Sequence, residues 1–480
     1  MVAGAVVSGA TLATLSGCSA RAEDRRTQPN SPDEESGEHF SHGWRSEYGE
    51  VRPMADQNGS TVLALPEGFQ YVTFSSVGDT MSDGNIVPRA LDGMTCFEWR
   101  GSVVRLIRNH EVNTRPGGFD NPNRYAVGGD PETRYDPLGV GGTVTLEFDL
   151  RTKTLLRQFV SLNGTLQNCS GGLAWRNLGW ISSEESVAGP NEGWGKKHGY
   201  NFFVPVYLET TTSAVPLTWM GRFRHEAAVA CVRGIVYQTE DNGTESGFYR
   251  ATALDRANLH SGGKLEMLAI KGTPQASLLD GQHVGARLPV EWIQIEEPDP
   301  DLEGGAPSCF QQGFSQGGAV FNRLEGVFRG LDGHSVYFVS TRGGDAGYGQ
   351  LWHYIPADGT LNKTDQLVLV FESPSGTVLD SPDNLCLSPR GGMLFCEDDA
   401  SNDGDIHPLA PHIPEATRLV GIGPFGEPFE FAVNLLNDSE FSGACFSPDG
   451  STLFVNIYGN SSKGSGMTCA IWGPWSRGPL

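Results

Sequence analysis

Ser388-Pro-Arg-Gly-Gly-Met-Leu-Phe-Cys-Glu397 returns 59 positions later as Ser447-Pro-Asp-Gly-Ser-Thr-Leu-Phe-Val-Asn456. Each time a Ser-Pro-x-Gly turn delivers the chain into a short apolar strand that stops on a polar residue, the pattern of a hairpin inside a propeller blade. Four earlier runs stop in the same way: Leu106-Ile-Arg-Asn-His-Glu111, Trp180-Ile-Ser-Ser-Glu184, Val236-Tyr-Gln-Thr-Glu240 and Val336-Tyr-Phe-Val-Ser340. Successive strand ends are 73, 56, 100, 57 and 59 residues apart. Six strand ends predict an all-β fold, a six-bladed β-propeller over residues 61–480, with loop insertions stretching the longer intervals. Glu296 to Pro307, dense in Glu, Asp, Pro and Gly, is expected to be one such insertion. Periodicity alone leaves a β-sandwich or two β domains open.

Composition agrees with many short strands. Glycine supplies 63 of 480 residues, nearly twice the usual share of roughly 7%, and only 19% are charged. A 38% hydrophobic content is enough for a sizeable core. With 34 basic against 57 acidic side chains the formal charge is −23, which argues against nucleic acid as a partner.

The beginning of the chain reads as targeting sequence. Residues 1–18 are small and apolar and end in Leu15-Ser-Gly-Cys18, which resembles a bacterial lipobox, although no basic stretch precedes it. Export to the periplasm or the cell surface is therefore expected, with a lipid anchor through Cys18. Residues 19–60 read as a flexible polar tether. The other eight cysteines are widely spaced without a C-x-x-C, which predicts buried thiols rather than a disulfide framework.

Four of the six strand ends carry acids: Glu111, Glu184 with Glu185, Glu240 with Asp241, and Glu397 with Asp398 and Asp399. In a closed ring such stations converge on a central channel, where carboxylates repel one another unless cations lie between them. Hard cations such as calcium take six to eight oxygen ligands of this kind. Two other motifs carry less. Gly313-Phe-Ser-Gln-Gly317 matches the G-x-S-x-G nucleophile elbow but lacks its strand-to-helix context. Asn402-Asp-Gly-Asp405 lacks the spaced ligands of a calcium loop and reads as a polar turn.

Eight motifs occur in a familiar order: Leu106 to Glu111, Asn168-Cys-Ser-Gly-Gly172, Ser183-Glu-Glu185, Lys197-His-Gly-Tyr200, Met220-Gly-Arg-Phe-Arg-His-Glu-Ala227, Arg323-Leu-Glu-Gly326, Pro382-Asp-Asn384 and Glu440 to Gly450. From about Leu65 to Trp472 the chain resembles the PhoX-type alkaline phosphatases. The resemblance implies an exported enzyme that hydrolyses phosphate monoesters, and a monomer is expected. Its channel would hold Fe(3+) and Ca(2+) bridged by an oxo group. It also implies that Cys169 ligates iron, that Glu184 and Glu226 bind metal, and that Asp383 and Glu440 are calcium ligands. Arg323 would grip phosphate while Glu325 holds calcium. Asn109 and Glu111 belong to a family motif without an assigned role.

This sequence departs from the family pattern in lacking a twin-arginine leader, in Leu324 where proline is usual, and in Ile181-Ser-Ser. No candidate ligand is lost. Two other classes stay open on sequence: a calcium-dependent propeller hydrolase such as a phosphodiesterase, phytase or lactonase, and a non-catalytic surface-binding propeller.

Overall fold

The computed structural model describes residues 48–113, 125–359, 363–398, 404, 406–424, 426–459 and 466–480. The lipobox, the tether up to residue 47 and all but Gly404 of the Asn402–Asp405 turn lie outside the described residues.

Five antiparallel sheets follow one another along the chain. The first is a meander of Leu91–Arg100, Val103–His110, Gly141–Asp149 and Thr154–Thr165. A second holds Asn168–Leu173, Gly179–Glu184 and Asn201–Pro205. The nine-stranded third sheet contains two meanders, one opening with His225–Ala230 and the other with Leu324–Arg329. They are joined because Arg287–Ile295 reaches across to pair Arg287, Leu288 and Pro289 with Val368, Leu367 and Gln366. The fourth sheet opens with Pro382–Leu387 and the fifth with Phe441–Phe446.

The opening strands pack side by side. Leu91–Arg100 touches Asn168–Leu173, and contact then passes through His225–Ala230, Leu324–Arg329, Pro382–Leu387 and Phe441–Phe446 back to Leu91–Arg100. This ring of inner strands makes the molecule propeller-like, with apolar clusters between neighbouring sheets. The hairpin turns read from sequence are formed: Gly391 N donates to Ser388 O and Gly450 N to Ser447 O, with both glycines at positive φ. The insertion at 296–307 is pinned to the ring by Arg222, which bonds both oxygens of Glu303, and by Tyr200 on Asp299.

The last sheet is completed by an early strand. Gln70–Phe74 pairs with Met467–Trp472, so residues from both ends of the fold share one ladder. The tether expected through residue 60 is folded from Tyr48 onward, which corrects that boundary. Tyr48 is buried against Phe69, Phe431 and Trp475, and its hydroxyl accepts from Leu480 N. Val51–Met54 pairs with Leu63–Pro66. Asp56 accepts from Asn58 N, Ser60 N, Thr73 N and Thr73 Oγ1. The segment reads as polar because most of it is exposed, and a few buried anchors, Tyr48, Val51 and Asp56, hold it to the fold.

All eight cysteines among the described residues are unpaired and buried, as expected. Ser315 ends the helix Cys309–Ser315 and donates to Gln312 O. A nucleophile elbow needs its serine on the turn before a helix, so this serine is not one.

Candidate metal centre

Every inner strand breaks its ladder near its start. Pairing is interrupted between Leu91 and Met94, Asn168 and Gly171, His225 and Ala228, Leu324 and Val327, Pro382 and Leu385, and Ser442 and Cys445. Such bulges bend a strand and re-aim a side chain. The first residue inside each break is Asp92, Cys169, Glu226, Glu325, Asp383 and Gly443 in turn. Five of the six are metal-ligating types, delivered from one repeated backbone position.

Their donor atoms converge. Asp92, Glu111 and Cys169 offer atoms within 4.8 Å of one another, as do Cys169, Glu185 and Glu226, and again Glu226, Glu325 and Asp383. Cys169 and Glu226 each belong to two groups, so the three are linked in a row. Of the residues expected from sequence, Cys169, Glu226, Glu325 and Asp383 are thus brought together. Glu440 stands outside these groups, yet it feels the charge of Asp398, Asp383, Asp92 and Glu111.

The cluster is electrostatically unsatisfied. Both carboxylate oxygens of Glu226 and Oδ1 of Asp92 are buried without a hydrogen-bond partner. Burial, followed by repulsion from neighbouring carboxylates, pushes Glu226, Asp92, Glu325 and Glu440 well above the usual carboxylate range. The same causes lift Glu111 and Asp383 to about 8. Burial and then Asp92 and Glu226 raise the Cys169 thiol. A cation among these groups reverses every one of those directions.

Glu184, expected from the resemblance to bind metal, is the exception: it lies outside these groups, and both its oxygens already accept hydrogen bonds. Its Oε1 accepts from Leu166 N and His198 Nδ1, and its Oε2 from Gly199 N and Tyr200 N. Glu185, the next residue, is the one in the cluster. Strand alternation sends adjacent side chains to opposite sides. The same division recurs: Glu240 is held by Tyr249 and Gly247 N, and Glu397 by Arg418 and Asp380 N. Their successors Asp241 and Asp398 act electrostatically on the cluster.

Two arginines flank these acids. Arg323 donates through Nε and Nη2 to Asp241, and Nη2 also meets Glu325 Oε1 at 2.8 Å. It is 31% exposed in its side chain and has φ +49°, just before its strand begins. Arg224 donates to Glu185 at 2.8 Å, while its Nε is buried without a partner. Behind the cluster, Asn109 donates to the carbonyls of Cys169 and Ser170 and accepts from Trp180 and Ser182. That bonding ties Asn109 to the bulge that bears the thiol. The glycines after Cys169 admit neighbouring backbone, since a Cβ on Gly171 would lie 1.9 Å from Ile181 O and one on Gly172 2.0 Å from Ala228 O.

Asp92 lies in none of the sequence motifs, and Glu185 enters them only as the neighbour of Glu184. Asp92 had a signal, an isolated acid inside the apolar run Ala90-Leu-Asp-Gly-Met94. A ring of β-strands aims carboxylates and a thiol into one unsatisfied cluster with arginines at its edge, which defines a propeller-like protein with a candidate metal centre. Comparison makes this particular. The alkaline phosphatase PhoX family model matches residues 46–149 and 134–460, and the chain belongs to that family of phosphatase hydrolases. Among solved structures it is similar to Pseudomonas fluorescens PhoX in complex with vanadate, a transition-state analogue. That match has 18% identity and a TM-score of 0.64, covering 90% of this chain and 98% of the other. A luciferin-regenerating enzyme matches at 10% identity and TM-score 0.42, covering 81% of this chain and 93% of its own. A Xanthomonas campestris gluconolactonase matches at 10% identity and TM-score 0.40, covering 90% and 97%. A search of curated protein sequences finds no match.

Proposed function

We propose that the protein is an exported phosphatase that hydrolyses phosphate monoesters at a multinuclear iron and calcium centre in a six-bladed propeller. The observation that carries the proposal is Glu226. A carboxylate buried with neither oxygen bonded, at the junction of two ligand groups, is costly unless it meets a cation. The donor set fits the ions the family implies: one soft thiolate suits iron, and the surrounding carboxylates suit calcium. Cys169, Glu185, Glu226, Glu325, Asp383 and Glu440 are the proposed ligands, joined by Asp92 and Glu111. Six blades follow if the nine-stranded sheet is counted as two, which the six recurring bulges support.

Bound there, such cations supply Lewis-acid stabilisation of charge on a phosphoryl group. The protein's own residues do the rest. Arg323 presents a planar fork to the phosphoryl oxygens. Glu325 and Asp241 hold that fork in place, and Arg224 adds a second guanidinium beside Glu185. The chain's overall charge of −23 repels anionic esters at long range, so selectivity rests on this local reversal of sign. The lipobox-like Leu15-Ser-Gly-Cys18 supports export and lipid anchoring. No helix among the described residues is long and apolar enough to cross a membrane.

The test is elemental analysis of purified protein alongside hydrolysis of a phosphate monoester and a diester. Iron with calcium, a visible thiolate-to-iron colour and preference for the monoester are expected. Full monoesterase activity in colourless, iron-free protein would overturn the centre. Preference for the diester would overturn the substrate class.

A further inference from the structure

Downstream of the bulges, the inner strands enclose a second space. It measures about 460 Å³ and is walled by Met94, Trp180, Val229, Val327, Leu385 and Ala444. Ser170, Gly326 and Asn384 also line it, each the neighbour of a bulge ligand, so the cavity lies directly behind the metal cluster along the channel. Its size is within the range of small-molecule sites, and its wall is mainly apolar. Near the mouth stand Val232 and Leu331, exposed by 46% and 66%.

Two charged groups, Arg329 and Asp332, stand on this wall without pairing with each other. Arg329 donates to Ala230 O, but no carboxylate among the described residues forms an ion pair with it. Asp332, the acid that shares the lining, is occupied otherwise: its Oδ1 accepts from His334 N, Ser335 N and Ser335 Oγ. A half-buried guanidinium without an anion at the edge of an apolar cavity is half of an amphiphile site.

We propose that this cavity binds a single-chain anionic amphiphile, a fatty carboxylate, with its tail among the inner strands and its head on Arg329. The site is separate from phosphate hydrolysis and does not depend on how the metal centre is read. Calorimetric titration of the metal-loaded full chain with decanoate and with decanol tests it. Saturable one-to-one binding of decanoate is expected. Arg329→Gln should weaken decanoate by about tenfold or more, the value of a hydrogen bond to a charged group, and leave decanol unchanged. Leu331→Glu, at the exposed mouth, should weaken both ligands. Neither variant should change turnover of p-nitrophenyl phosphate, which confirms folding and keeps this test distinct from that of the phosphatase reading. Absence of saturable binding to the unaltered protein, or equal decanoate affinity in Arg329→Gln, would overturn the proposal.

Discussion

Glu184 and Glu185 are neighbours in sequence and opposites in circumstance. The first is enclosed by four donors, while the second faces other acids, with Arg224 and Gln167 as its partners. Glu240 and Glu397 repeat the first condition, and Asp241 and Asp398 stand on the cluster side. The molecule thus carries two tiers of acid one residue apart. One tier holds strands together through bonds already made; the other is destabilising until cations arrive. Identical chemistry acquires opposite functions from the direction a strand turns it.

The most severe way to break this comparison is Glu226→Gln. Loss of cations from the central pair of ligand groups should lower phosphomonoester turnover about a thousandfold, a loss of roughly 4 kcal/mol in transition-state stabilisation. The chelated variant should melt higher than chelated wild type, because a buried unpaired carboxylate has gone. A lower melting temperature would place Glu226 in the structural tier. Next comes the pair itself. Glu184→Gln should destabilise the fold by about 3–5 kcal/mol, the usual loss when one partner leaves a buried pair, while folded molecules keep their metal. Glu185→Gln should do the reverse, and elemental analysis with chemical denaturation on both variants separates them.

A pH scan sharpens the contrast. Burial pulls His198 down, but the charge of Glu184 and the hydrogen bonds the ring donates to Asp136 and Glu184 outweigh it and hold its pKa at about 9, above the unbound 6.5. Its contribution, of order 3 kcal/mol, is fully present below pH 6.5 and lost as pH rises through about 9. Glu111 and Asp383, raised to about 8, add a second loss in chelated protein as pH climbs toward that value. Metal-loaded protein should therefore lose melting temperature only between about pH 6.5 and 9, through His198, whereas chelated protein declines from lower pH and by more. Parallel curves would mean that the cluster carries no cation. The smallest effect is expected from Arg323→Lys, which keeps the charge and removes the fork. Turnover and inhibition by orthophosphate should each weaken by roughly ten- to a hundredfold at unchanged metal content. A drop in melting temperature with inhibition intact would make the arginine only a strut between Asp241 and Glu325.

Much of this architecture is written in local sequence. The Ser-Pro-x-Gly turns reveal hairpins because backbone conformation there depends on proline and glycine. Cys169, Glu226, Glu325 and Asp383 emerge from motifs, and the structure adds that all four occupy one bulge position. The bulge itself is invisible to a period-two reading, since an extra residue shifts the face of everything after it. Strand ends mark Glu184 and Glu185 together, the family motif points to the first of them, and neither marks Asp92 near the start of its strand. The early segment misled for another reason. Tyr48 and Asp56 act through partners 432 and 17 residues away, at Leu480 and Thr73, and polarity within a window cannot register such bonds.

The pairing of Gln70–Phe74 with Met467–Trp472 makes time a constraint. At about 5–20 residues per second, synthesis takes roughly 20–80 seconds to travel from one partner to the other. Throughout that interval the early strand has no mate, and an unpaired edge is a template for aggregation. Every ligand-bearing bulge, from Asp92 to Asp383, is made before the late partner exists, and the remaining bulge holds Gly443. The strand that completes the last sheet is therefore synthesised after every bulge ligand and brings none of its own, so the outermost ladder can form only once the whole ligand set exists.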